Sequence, residues 1–80
     1  MRARKEFLVI TFSETADAIA AEKILKEKKV SGRMIPVPRS LSAGCGLSWR
    51  TEPEEKETAG RVLEEAGIHW QDMEIVTLLT

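Results

Sequence analysis

The chain has one cysteine, Cys45, and one histidine, His69. A single cysteine excludes an internal disulfide, which agrees with a reducing compartment. One histidine with one cysteine is too small a set for a protein zinc site, which usually needs at least three ligands. No metal is therefore expected. The five glycines form no phosphate-binding pattern, and no cofactor is expected. No apolar run approaches the roughly 20 residues that span a bilayer. Residues 1–10 run from basic to briefly apolar, without the longer apolar stretch and small-residue cleavage site of a signal peptide. A cytoplasmic protein with no membrane partner is the expectation.

What remains is ordinary globular material. The composition is 42% hydrophobic and 31% charged, which excludes a disordered or low-complexity chain. At 80 residues one domain, 1–80, is expected. A domain of this size buries only about 60% of its unfolded surface, so its stability should be modest. The net charge of -1 is unevenly spread. Residues 1–50 hold ten Lys/Arg against five Asp/Glu, and residues 51–80 hold two against eight. Cys45 lies in the basic part, between Arg39 and Arg50, but the total does not point to a nucleic-acid binder.

Residues 7–12 read as a buried strand, with apolar members in both alternating sets: Phe7 and Val9, then Leu8, Ile10 and Phe12. Ser13 or Thr15 is suited to cap a following helix. Ala18, Ala21, Ile24 and Leu25 form that helix's apolar face, and Glu22 and Lys26 are spaced for an i,i+4 pair. Gly32 marks a break. Residues 33–37 form a short strand that Pro36 confines to an edge or an end, and residues 47–50 a third strand with Leu47 and Trp49 on one face. Thr51 and Glu54 fit a capping box, with Pro53 in the first helical turn. Ala59, Val62, Leu63 and Ala66 supply the second helix's stripe, Gly67 follows its end, and residues 73–78 are the last strand. A weak internal echo at an offset of 38 supports two β-α-β halves.

The order β-α-β-β-α-β predicts an α+β, ferredoxin-like sandwich: a four-stranded antiparallel sheet with both helices on one face. One of the two apolar sets of the first strand must then lie on the open face. An apolar open face often marks an interaction site, so a homodimer through that face, or a partner docked on it, is expected.

The candidate for chemistry is Cys45, set in Gly44-Cys45-Gly46 on a connection, residues 38–46, longer than a hairpin needs. Glycine on both sides suits a tight turn or close approach by another molecule. Thiol chemistry requires the thiolate, and a positive neighbour or helix N-terminus favours it. Arg39 and Arg50 flank the loop, and Ser42 is placed to cap a short turn beside the sulfur. The competing reading is a small buried hydrophobe without a role. Other residues are weaker candidates. His69 reads as a surface side chain, although a Cys-His pair is conceivable. Trp49 and Trp70 read as core or sheet-face residues. The pairs Glu54-Glu55 and Glu64-Glu65 read as solvated helix residues.

Phe12-Ser13, Ala16, Ala18, Glu22 and Leu25, then Pro36-Val37-Pro38-Arg39, Leu41-Ser42 and Cys45-Gly46-Leu47, resemble the putative selenium/sulfur carrier protein-like family. The resemblance runs from about Phe7 through the final strand. It implies that Cys45 accepts sulfur or selenium, with Arg39, Ser42 and Gly46 on the motif beside it. Trp49 and Arg50 lie outside the matched motif, so Arg50 is assigned on proximity alone. The implied mechanism is group transfer rather than turnover of a small substrate, with a donor protein and an acceptor protein as partners. The alternative is a non-catalytic binding or dimerisation module that uses its open sheet face.

Overall fold

The computed structural model describes residues 3–39, 41 and 46–79. The elements in chain order are β1 (Arg4–Thr11), α1 (Thr15–Glu27), β2 (Arg33–Pro36), β3 (Leu47–Thr51), a 3-10 turn (Pro53–Glu55), α2 (Lys56–Glu65) and β4 (Asp72–Leu79). The four strands form one antiparallel sheet in the order β2-β3-β1-β4. This is the expected α+β, ferredoxin-like arrangement.

β1 is central because its residues are apolar on both faces. Leu8, Ile10 and Phe12 point to the helices and build the core with Ala18, Ala21 and Leu25 of α1, Ala59 and Leu63 of α2, and Trp49 of β3. Small alanines let the helices sit close while the bulk comes from the sheet. Ala66 is exposed, so the buried stripe of α2 ends before it. Glu22 and Lys26 form the expected pair at 3.3 Å on the solvent side of α1.

Neither expected helix cap forms. The N-cap residues are Glu14 for α1 and Glu52 for the 3-10 turn, and neither makes a side-chain capping bond. The hydroxyls are taken by tertiary partners. Ser13 Oγ donates to Gln71 Oε1 at 3.4 Å. Thr51 ends β3, and its hydroxyl lies 3.3 Å from that of Ser31.

The opposite face corrects a second expectation. Phe7 and Val9 do lie there, but as buried side chains rather than an exposed apolar patch. The Arg50 guanidinium lies 4.5 Å from the Phe7 ring centroid and Lys5 Nζ 5.4 Å from it. Thr11 and Ser48, on the same face, are buried too. Phe7 and Val9 are thus covered by the chain itself, while Ile35, Val76 and Leu78 on the same face are half-buried.

Gly32 is required for a different reason from a loose break. Its φ is +123°, and a Cβ built there would stand 2.0 Å from the Arg50 carbonyl oxygen. The α1–β2 connection can lie against β3 only without a side chain at this position.

Candidate functional site

Pairing of β2 with β3 runs from Arg33 opposite Arg50 to Pro36 opposite Leu47. The hairpin between them therefore leaves the sheet at the end where β1 finishes, since Thr11 pairs with Ser48. Its base is closed by one further bond, from Val37 N–H to the Gly46 carbonyl at 3.1 Å. Gly46 reaches this geometry at φ +76°, a left-handed conformation that glycine adopts without strain. Leu41 N–H donates to the Pro38 carbonyl at 3.0 Å, which sets Arg39 on an exposed turn. Ser48 Oγ donates to the Ile35 carbonyl at 3.2 Å and ties the two strands just inside the hairpin.

Of the residues singled out from the sequence, Cys45, Ser42 and Gly44 lie outside the described residues. Arg39 and Gly46 stand on the hairpin itself. Arg50 stands on β3, opposite Arg33 on one side and Val9 on the other, with its guanidinium on the Phe7 ring.

Two other parts of the chain converge on the same end of the sheet. α1 begins four residues after β1 ends, so its N-terminus, whose first backbone N–H groups have no partner within the helix, opens there. The connection from α2 to β4 returns there as well, because Asp72 pairs with Thr11. It is clasped tightly: Gln71 N–H donates to the Thr11 carbonyl at 2.7 Å, and Asp72 N–H to Thr11 Oγ1 at 3.1 Å. His69 on this connection is exposed, as expected. With Glu64, Gly67, Ile68 and Trp70 it lines a shallow cleft of about 330 Å³. β1 separates β4 from β3, so His69 shares the hairpin's end of the sheet but not its side.

Sequence reasoning missed the Thr11 clasp and the Val37–Gly46 closure. The second had a signal, since Gly46 directly precedes a strand. The first had none, as a threonine at a strand end has many partners available. Among the described residues there is no group of three or more His, Cys, Asp or Glu placed to hold a metal, and no helix is long and apolar enough to cross a membrane.

A family model described as putative Se/S carrier protein-like matches residues 7–74. The match runs from Phe7, within β1, to the first residues of β4 and includes the segment that joins β2 and β3. Comparison with curated proteins and with solved structures returned no match.

Proposed function

Because the chain belongs to the putative Se/S carrier protein-like family, we propose that it carries one sulfur or selenium atom on Cys45. The observation that supports this most directly is the span of the family match, which includes the one cysteine of the chain in its Gly44-Cys45-Gly46 setting.

The transfer balances without an external oxidant. The Cys45 thiolate attacks the terminal sulfur of a donor persulfide, R–S–SH. A new S–S bond forms to Cys45, the donor's S–S bond breaks, and the donor leaves as its thiolate. In the return step an acceptor thiolate takes the terminal atom and restores the Cys45 thiolate. A selenosulfide, R–S–SeH, follows the same course with selenium as the atom passed. Rates of such exchanges rise with the thiolate fraction and with access to the sulfur. The donor and acceptor are proteins presenting such groups.

The supporting residues follow from this need. Arg39 supplies a permanent positive charge within the hairpin. Gly46 has open space where a side chain would stand, and Gly44 carries no side chain to hinder a second protein's sulfur. Ser42 offers a hydroxyl, and Arg50 contributes charge from β3. These 80 residues hold no second cysteine, which suits a carrier, since a resolving thiol nearby would convert the persulfide to a disulfide and release the cargo.

The test is mass spectrometry of the protein after exposure to a persulfide donor. The wild type should gain one sulfur on Cys45 and pass it to an added thiol, and Cys45→Ser should gain none. A wild type that takes up no sulfur, or that loads as readily without Cys45, rejects the proposal.

A further inference from the structure

β4 is an edge strand: β1 pairs with one of its sides, and no described strand pairs with the other. Natural sheets blunt such edges with lysine, proline, bulges or short length. β4 uses none of these. It pairs without interruption with β1 from Asp72 to Leu79, and residues 75–79 read Ile-Val-Thr-Leu-Leu, with no charge. Ile75 and Leu79 are 47% and 57% exposed, and both lie on the helix side of the sheet.

We propose that β4 pairs antiparallel with β4 of a second copy, about a two-fold axis through Thr77, and so joins two four-stranded sheets into one. A strand that pairs antiparallel with itself forms an isologous contact, the kind that closes a dimer. Side-chain alternation restricts the register, because residues directly opposite each other must share a face.

Charge selects among the registers that remain. With Thr77 on the axis, Ile75 stands opposite the partner's Leu79, and Val76 opposite the partner's Leu78. All the exposed apolar side chains of the strand then meet one another. An axis through Ile75 instead sets Glu74 against the partner's Val76, and an axis through Glu74 sets two carboxylates against each other. In the Thr77 register the partner's Glu74 and Asp72 fall beyond the apolar run, where they meet no carboxylate of the facing strand. The hairpin joins β2 and β3 on the other side of the sheet, so this pairing does not occupy that edge. A contact this short belongs with weak interfaces of less than about 1,200 Å², so the dimer is expected to depend on concentration.

Sedimentation velocity over a range of concentrations tests this, with Cys45→Ser as the background to exclude thiol-linked dimers. The Cys45→Ser protein should show a reversible monomer–dimer equilibrium. Ile75→Lys and Leu79→Lys should each weaken it at least tenfold while leaving the circular dichroism spectrum intact. Ile19→Lys, which changes an equally exposed side chain on α1, should not. Under mild oxidation Thr77→Cys should form a disulfide dimer, because Cα atoms directly opposite across antiparallel strands are about 4.5–5.5 Å apart. Ile75→Cys should not, since its two copies would be four residues apart along the strands. A monomer at every concentration, a dimer indifferent to the β4 lysines, dissociation by Ile19→Lys, or cross-linking through position 75 in place of 77 overturns the proposal.

Discussion

The guanidinium of Arg50 lies 4.5 Å from the centroid of the Phe7 ring. This contact couples β3 to β1 on the face away from the helices and helps to cover a phenylalanine that would otherwise meet water. A cation over an aromatic face contributes about 0.5–2 kcal/mol, depending on how far it is desolvated. The arginine's stem adds packing. Arg50→Ala should therefore lower stability by roughly 1–2 kcal/mol, and Arg50→Lys by less. Equilibrium urea denaturation measures both. An unchanged midpoint for Arg50→Ala would show that the ring is held without it.

The two arginines that flank Cys45 in the sequence stand in different settings. Arg39 is on the hairpin turn and exposed, whereas Arg50 is engaged with a ring on the sheet. A positive charge near a thiol favours the thiolate, and each pKa unit corresponds to about 1.4 kcal/mol. The carrier proposal requires Cys45 to reach its thiolate more readily than a free cysteine does. Its alkylation rate should then level off at lower pH than that of a free thiol. Arg39→Gln should move the profile upward in pH and slow labelling at pH 7, with little effect on the urea midpoint. Arg50→Gln should do the reverse: a clear loss of stability and a smaller change in labelling. Alkylation rates measured against pH decide the matter, and a wild-type profile matching free cysteine would count against a thiolate held by either arginine.

Much of the fold could be read from local sequence, and the reasons differ by element. β1 was legible because apolar residues in both alternating sets fit only a covered central strand. The start of the 3-10 turn and the end of α2 were legible from Pro53 and Gly67. What failed was each inference that depended on a distant partner. Ser13 and Thr51 have cap chemistry, but Gln71 and Ser31 reach their hydroxyls first. Phe7 and Val9 were expected as an exposed patch because nothing in β1 itself reveals that Arg50 folds over the ring. The exposure of Ile75 and Leu79 likewise goes with the place of β4 at the edge of the sheet, which its own residues do not reveal. At the candidate site the motif around Cys45 was legible as composition. The closure of the hairpin by Val37 and Gly46 is a matter of pairing register, which composition does not encode.

Gly32 should tolerate no side chain. Its φ of +123° disfavours any L residue, and a Cβ would come within 2.0 Å of the Arg50 carbonyl oxygen and 3.0 Å of Trp49 Nε1. Gly→Ala at a compatible position stabilises slightly by restricting the unfolded chain, and at an incompatible one the cost exceeds that gain. Gly32→Ala should thus destabilise by more than about 1 kcal/mol. Gly60→Ala is the control, because it lies within α2 and the nearest outside atom to its Cβ would be Met73 Cε at an ordinary 3.6 Å. That change should be neutral or stabilising, since alanine is favoured in a helix by up to about 1 kcal/mol. Thermal or urea unfolding of the two variants side by side gives opposite signs if the collision is real.

Trp49 is fully buried at the heart of the core, yet its indole Nε1 has no hydrogen-bond partner among the described residues. Two effects therefore oppose each other in this one side chain. The ring fills volume that no smaller residue replaces, and truncating a buried tryptophan to alanine costs about 3–5 kcal/mol. The stranded N–H works the other way, since a buried donor without an acceptor carries a penalty of about 1–3 kcal/mol. Phenylalanine removes the donor and keeps most of the ring. Trp49→Phe leaves a smaller cavity than Trp49→Ala and should consequently cost less. Urea midpoints of the two variants provide the comparison. Trp49→Phe as damaging as Trp49→Ala would show that this site cannot spare even the part of the ring that phenylalanine lacks.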